Sequence, residues 1–170
     1  DTLRSAWKWQ LALRERGIAP LLCSDPSERR LAFLRADAER LGLDRLEIIT
    51  GEAQTIASAY PQAFSGILLD APCSGTGTLA RNPELRLRLS PQKLDAAARL
   101  QRELLRAAWT ALRPGGLLVY ATCAVNRTEN EEQIAAFLAR TSDARLEEQE
   151  LVLPVAPEEE GQDILYHAFV

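Results

Sequence analysis

Short apolar runs alternate along the chain with longer stretches whose apolar residues recur every three or four positions. That alternation predicts strands separated by helices, and so an α/β fold built largely on a parallel sheet. Residues 3–16 predict a helix, with Leu3, Ala6, Trp7, Leu11 and Leu13 near a 3.6-residue spacing and Gly17 ending it. "APLLCSD" at 19–25 predicts a short buried strand. Residues 27–41 predict a second helix with Leu31, Phe33, Leu34, Ala38 and Leu41 inward and Gly42 as its C-cap. "LEIIT" (46–50), "SGILLD" (65–70) and "LLVYATC" (117–123) predict further strands. A long helix over 91–112, stopped by "RPGG", lies between the last two. Thr128 and Glu131 fit a capping box that opens a helix to about Arg140. Residues 147–163 predict a strand plus an exposed loop, and "ILYHAFV" a final strand.

A doubly wound fold ordinarily opens on a strand and a glycine-rich turn. This sequence opens on a helix with no such loop before Leu3. The expectation is therefore a Rossmann-like sheet lacking its first strand and glycine-rich loop, with residues 1–170 forming one catalytic domain whose upstream parts are absent.

Composition narrows the class. At 170 residues, 46% hydrophobic and 26% charged, the chain suits one soluble domain with a real core. No apolar run is long enough for a membrane span and no leader pattern opens the sequence, so the expected compartment is the cytoplasm. Cys23, Cys73 and Cys123 form no CxxC pair and are odd in number, which argues against a disulfide framework or a zinc site and leaves free thiols. Net charge is −4, but residues 81–113 carry eight Lys and Arg against three Asp and Glu, while residues 128–163 carry two against eleven. The basic segment could meet phosphates, although such runs are usually solvated helix faces.

Ligands of open α/β sheets bind beyond the carboxyl ends of the strands. Three strands end on or near an acid: Asp25, Glu52 and Asp70. A carboxylate at such a tip can grip both hydroxyls of a ribose, and the next can accept from an adenine amine, which suggests a nucleoside cofactor. The plainer reading is that turns and helix N-termini favour acids. Cys73 follows Asp70 across Pro72, and Cys123 ends the neighbouring strand, so both thiols reach one rim. Ser74, Gly75, Thr76 and Gly77 leave room for a planar group to approach the backbone.

"DAPCSGTG" at 70–77, a downstream "TCA" at 122–124 and then "TENEEQ" at 128–133 resemble the RNA cytosine methyltransferases that make 5-methylcytosine, the bacterial 16S rRNA enzymes and their eukaryotic relatives. The resemblance runs in order over about residues 20–169, including "RNPE", "LQRELL" and "RPGGLLVYATC". It implies methyl transfer from S-adenosylmethionine to cytosine carbon 5 through a covalent thiol adduct. Cys123 is then the nucleophile, Asp70 holds the ring nitrogen and amine, and Cys73 assists proton removal and release. DNA methyltransferases use the cysteine of a Pro-Cys motif as nucleophile instead, which leaves the order of the two thiols open.

The resemblance further implies Asp25 on the ribose and Glu52 near the adenine, with Pro26, Ala53, Asp70 and Pro72 lining the cleft. Arg81, Arg86 and Arg88 are the candidate phosphate contacts. RNA is the expected partner, with neither metal nor membrane. Ala124 stands where the family has Ser, and the family's methionine-cradling loop is missing upstream of Asp1, so its strand would leave a gap between "APLLCS" and "GILLD". The alternatives are an inactive fragment or a methyltransferase for another substrate. His167 and the tryptophans Trp7, Trp9 and Trp109 read as structural.

Overall fold

A computed structural model describes residues 21–43, 45–152 and 165–170. The expected helix over 3–16, with Trp7 and Trp9, and the loop after Val152 lie outside the described residues. Contacts divide the chain into two compact units, Asp1–Ile56 and Ala57–Val170.

The first unit is a βαβ arrangement. Strands β1 (Leu21–Asp25) and β2 (Leu46–Thr50) pair in parallel, with Cys23 opposite Ile48 and Asp25 opposite Thr50. Helix α1 (Glu28–Arg40) connects them. Ser27 caps it by accepting the Arg30 N–H, and Gly42, at φ 66°, follows its end as expected. Leu31 and Ala38 are buried, but Phe33 is 62% exposed and Leu41 38% exposed, against the inward set expected from the sequence. Helical geometry gives the reason. Phe33 lies about 200° around the axis from Leu31, on the opposite face, and Leu41 falls beyond the last helical residue.

Helix α2 (Ala53–Ala59), which the sequence pattern did not reveal, spans the division between the units. Its first turn closes on the Glu52 carbonyl, which accepts from Thr55 and Ile56.

The second unit is a four-stranded mixed sheet in the order β3-β4-β6-β5. Strands β3 (Phe64–Asp70) and β4 (Leu112–Thr122) are parallel, while β6 (Leu165–Phe169) runs antiparallel to both β4 and β5 (Glu148–Val152). Strand β4 starts earlier than expected. Phe64 pairs with Leu112 and Gly66 with Leu117, so residues 113–116 bulge out at the "RPGG" turn, where Gly115 takes φ 74°. Helix α3 (Pro91–Ala111) packs against β3, β4 and the short helix α4 (Glu131–Leu138). Ser90 caps α3 and Pro91 occupies its first position, where a missing N–H costs nothing.

The core gathers Leu104 and Leu105 of α3, Leu118 and Tyr120 of β4, Ile134 and Phe137 of α4, and Tyr166 of β6. Each buried aliphatic side chain of this kind contributes about 1.5–3 kcal/mol. Tyr120 meets Tyr166 edge-on at 6.4 Å, and Trp109 meets Phe137 at 5.6 Å, which gives Trp109 the structural place expected of it. His167 lies half-buried in β6, edge-on to Phe169 at 5.3 Å. No helix among the described residues is long and apolar enough to cross a membrane.

The expected capping box does not form. Asn130, not Thr128, precedes α4, and its side chain makes no cap hydrogen bond. Thr128 instead donates to the Glu132 side chain at 3.2 Å. The Asn130 amide is committed elsewhere, in the loop that follows β4.

Candidate active site at two strand tips

Parallel pairing brings the ends of β3 and β4 level. Asp70 stands opposite Ala121, and Ala71 donates its N–H to the Ala121 carbonyl at 2.9 Å. Both chains then leave the sheet on the same side as loops that carry a cysteine. Cys73 Sγ lies 3.1 Å from Cys123 Sγ, a hydrogen-bonded pair of free thiols, each partly buried. The expected meeting of the two cysteines at one rim is what the structure contains.

The small residues between 74 and 78 serve close contact. Gly77 is buried and donates its N–H to the Cys123 carbonyl at 2.8 Å. Gly75, at φ 70°, turns left-handed, and its backbone N–H reaches the Cys73 thiol. A Cβ at Gly75 would come within 3.3 Å of Leu85. Thr76 Oγ1 accepts the Val125 N–H at 3.0 Å, a second tie between the loops.

Beside the thiol loops lies a largely buried polar cluster. Glu129 is completely shielded, and one of its oxygens accepts from the Ser74 backbone at 2.8 Å and from Gln101 Nε2 at 3.0 Å. The other accepts from Asn126 Nδ2 at 2.7 Å. The Tyr120 hydroxyl donates to the Glu129 carbonyl at 2.7 Å, and Gln101 also donates to the Pro72 carbonyl at 3.0 Å. Asn130 accepts from the Thr122 hydroxyl at 2.7 Å and donates to the Ala124 carbonyl at 2.9 Å, so it brackets Cys123 in sequence. Ala124 is fully buried.

The two sulfurs titrate apart. Cys73 is held below the usual thiol range, first because Cys123 donates to it and further because the backbone N–H groups of Gly75 and Cys123 point at it. Its burial and the negative charge of Glu129 oppose that shift. Cys123 moves strongly upward, through its bond to Cys73, burial, and the charges of Cys73 and Asp70. The resting pair is thus a Cys123 thiol donating toward Cys73.

In the first unit, Asp25 and Glu52 stand at the carboxyl ends of β1 and β2. Both Asp25 oxygens accept from Arg30, each at 2.8 Å, and one also accepts the Ser27 N–H at 2.6 Å. The Arg30 hydrogen bond holds the Asp25 carboxyl below its ordinary value. Pro26 and Glu52 are exposed, and Ala53 opens α2. In the second unit Asp70, Pro72, Arg81, Arg86 and Arg88 are exposed, with Arg86 in a 3₁₀ turn at Pro83–Leu87 and Arg81 and Arg88 on either side of it. Among the described residues no cluster of three or more His, Cys, Asp or Glu is arranged to hold a metal ion.

Sequence reasoning singled out the thiols and Asp70 but passed over Glu129, Asn130, Asn126 and Gln101. Gln101 carried a signal: it shares a helix face with Ala98, Leu105 and Ala108, where a polar side chain needs a buried partner.

A model of the family described as 16S rRNA methyltransferase RsmB/F matches residues 11–167. Ribosomal RNA small subunit methyltransferase B of Vibrio cholerae is 42% identical over 153 residues, covering 85% of this chain and 34% of the relative. The protein of the same name from Pseudomonas syringae is 46% identical over 129 residues, covering 75% and 29%. The chain therefore spans about a third of the length of the curated relatives it matches. A methyltransferase homolog protein from Pyrococcus horikoshii superposes with a TM-score of 0.70 at 25% identity, covering 91% of this chain and 53% of that one. NSun6 from Pyrococcus horikoshii, solved with SFG, superposes with a TM-score of 0.71 at 24% identity, covering 89% and 41%, and shares the fold. The architecture is that of a Rossmann-like methyltransferase.

Proposed function

The chain belongs to the 16S rRNA methyltransferase RsmB/F family, and on that premise we propose that it acts as an S-adenosylmethionine-dependent RNA (cytosine-5) methyltransferase working through a covalent cysteine adduct. Residues 1–170 are, in this reading, its methyltransferase domain, and the RNA is ribosomal and met in the cytoplasm. The observation that carries the proposal is the thiol pair: Cys73 and Cys123 at 3.1 Å on adjacent strand tips, beside Asp70.

Carbon 5 of cytosine is a poor nucleophile until carbon 6 gains a substituent. Cys73, once a thiolate, takes the Cys123 proton along the existing hydrogen bond as the Cys123 sulfur adds to carbon 6. The electron pair of the 5,6 double bond then moves toward carbon 5 and the ring. One Asp70 oxygen accepts from the exocyclic amine, and a proton shared between the other oxygen and N3 offsets the negative charge that develops there. After methylation Cys73, having released to solvent the proton it took from Cys123, accepts the carbon 5 proton. The double bond re-forms as the Cys123–carbon 6 bond breaks. The cytidine must be unpaired or flipped for a sulfur to meet its ring face.

The donor set suits a nucleoside cofactor. Asp25 already offers two oxygens side by side to the paired N–H groups of Arg30, the same two-donor pattern that a ribose diol presents. Asp25 would take the diol and Glu52 the adenine edge, with Pro26 and Ala53 as apolar lining. The cofactor supplies an electrophilic methyl group on a sulfonium. Arg81, Arg86 and Arg88 are exposed and cationic beside the loop that carries Cys73, which suits contact with RNA phosphates.

A second reading has one observation in its favour. Cys73 is the thiol that titrates lower, and it sits in a Pro-Cys motif, so Cys73 as nucleophile with Cys123 as its proton partner is the alternative. RNA containing 5-fluorocytidine separates the two, because fluorine blocks the final proton removal and traps the adduct. Our reading expects a trapped protein–RNA species in the wild type and in Cys73→Ala but not in Cys123→Ala. Trapping lost only in Cys73→Ala would exchange the roles. No trapping in any form, with cofactor bound, would overturn the covalent mechanism.

A further inference from the structure

Two consecutive residues at the far end of the loop that carries Cys123 hold the two thiols. Glu129 and Asn130 precede α4, are 0% and 1% exposed, and send their side chains to different targets. The Glu129 carboxylate fixes the first loop through the Ser74 N–H, one residue after Cys73. Through Gln101 it also fixes the Pro72 carbonyl, one residue before Cys73. The Asn130 amide fixes the second loop through the Thr122 hydroxyl and the Ala124 carbonyl, the residues on either side of Cys123. Thr122 Oγ1 in turn accepts the Ala124 N–H at 3.2 Å. Each cysteine is thus bracketed at both of its chain neighbours, and the two brackets meet in one peptide unit.

From this juxtaposition we infer that Glu129 and Asn130 form a two-residue clamp, a pair of positioning residues that sets the separation of Cys73 and Cys123. Neither side chain bonds a sulfur; Glu129 acts through the Ser74 N–H and the Gln101 amide, and Asn130 through the Thr122 hydroxyl and the Ala124 carbonyl. The inference rests on the reading that the thiol pair is the reactive centre, but the clamp itself concerns only distance.

The local chemistry supports a positioning role over simple space filling. A carboxylate and an amide are costly to bury, and an apolar residue would fill the same volume more cheaply unless the hydrogen bonds did something the core does not need. Asn130 also occupies the N-cap position of α4 without capping it, giving up that stabilising contact to hold the Cys123 loop instead. Tyr120 locks the Glu129 backbone from inside the sheet, so the clamp is anchored to β4, the strand that delivers Cys123. Reacting groups displaced by about 1 Å can lose about 100-fold in rate, so such fixing matters for a reaction in which one sulfur adds and the other moves a proton.

The test measures thiol proximity directly, in the full chain with Cys23→Ser so that only two thiols remain. Equilibration with reduced and oxidised glutathione reads it. One thiolate attacks oxidised glutathione and releases one reduced glutathione. The second thiolate displaces the other, so that two thiols become one disulfide and one oxidised glutathione becomes two reduced. The ratio at half-oxidation gives the effective concentration of one thiol at the other.

We expect Glu129→Gln and Asn130→Leu each to lower that effective concentration by at least about tenfold. Gln133→Leu is the control, a variant of an equally buried residue whose side chain binds the Ala98 carbonyl at 2.9 Å and whose link to the loop is the backbone bond to the Asn130 carbonyl, which the substitution keeps. It should remain within about twofold of wild type despite a comparable loss of folding stability. Asn130→Asp, which keeps the acceptor toward Thr122, should recover part of the loss that Asn130→Leu shows.

Equal values in wild type, Glu129→Gln and Asn130→Leu would overturn the clamp. So would a fall in Gln133→Leu as large as theirs, or a wild-type pair that never bridges at any glutathione ratio. Methyl transfer plays no part in this measurement. Failure of the 5-fluorocytidine trapping leaves the glutathione result intact, and the two proposals fall separately.

Discussion

Cys73 and Cys123 share one hydrogen bond at 3.1 Å, yet their surroundings move them in opposite directions from the ordinary thiol value of 9.0. Cys73 goes down because Cys123 donates to it. If that donor is removed, what remains around Cys73 includes burial and the charge of Glu129, both of which raise it. With Cys23→Ser as background, the rate of Cys73 alkylation by iodoacetamide should therefore show a midpoint below the usual thiol range, and Cys123→Ala should move that midpoint up. A midpoint indifferent to Cys123→Ala would mean that the sulfurs do not share a proton in solution.

Gly75 owes its identity to backbone geometry. Its φ of 70° lies where a side chain is strained, and a Cβ would press on Leu85 at 3.3 Å. Gly75→Ala should cost about 1–2 kcal/mol of stability, read as a lower urea midpoint. The same change shifts the N–H that reaches Cys73, so the alkylation midpoint should rise along with the loss of stability. A stability loss with no change in thiol reactivity would show that this N–H does not tune Cys73.

Much of the fold could be read from the order of residues, because strands here announce themselves by short apolar runs and helices by apolar residues every three or four positions. The helix expected over 91–112 formed over Pro91–Ala111, "LEIIT" became β2 residue for residue, and Gly42 took the left-handed turn. The thiol rim was legible for the same reason, since parallel neighbours end level. What stayed hidden depends on long-range partners. Phe33 has the hydrophobicity of a core residue but not its angular position. Thr128 and Glu131 match a local capping pattern that Asn130 displaces, because Asn130 is needed by Thr122 and Ala124 across the loop. The burial of Glu129 could not be inferred either, as its three donors come from residues 74, 101 and 126.

Asp25 offers a test of the first unit by itself. Its carboxyl is held below 3.8 chiefly by Arg30, so the pair contributes stability that is present above about pH 4 and is lost as pH falls through the depressed folded value. The partners are 67% and 29% exposed at their side chains, so that contribution is at most about 1 kcal/mol. Arg30→Ala should raise the Asp25 carboxyl toward its ordinary value in an NMR titration. If Asp25 takes a ribose diol, Asp25→Asn should weaken S-adenosylmethionine binding by about tenfold, the effect of one lost charged hydrogen bond. Arg30→Ala should leave binding unchanged or tighter, since the guanidinium occupies the oxygens that the diol needs. Weaker binding in Arg30→Ala would place Arg30, rather than Asp25 alone, in the cofactor site.

Tyr120 connects the sheet to the thiol site and gives the protein an alkaline limit. Its hydroxyl is fully buried and donates to the Glu129 carbonyl at 2.7 Å. Burial first, then the charges of Glu129 and Cys73, push its ionisation far above the ordinary 10.0. The unfolded chain releases this proton near that ordinary value while the folded chain keeps it. Above about pH 10 the native state therefore binds more protons than the unfolded one, and stability falls as pH rises. Tyr166 is raised in the same direction, chiefly by burial, and adds to the loss. Tyr120→Phe removes a hydrogen bond and should cost about 1 kcal/mol at neutral pH. It also removes one alkaline penalty, so the gap between wild type and Tyr120→Phe should narrow as pH climbs past about 10. Urea midpoints at matched pH values read both effects. A gap that stays constant across the alkaline range would mean that the Tyr120 phenol ionises as easily in the folded protein as in the unfolded chain.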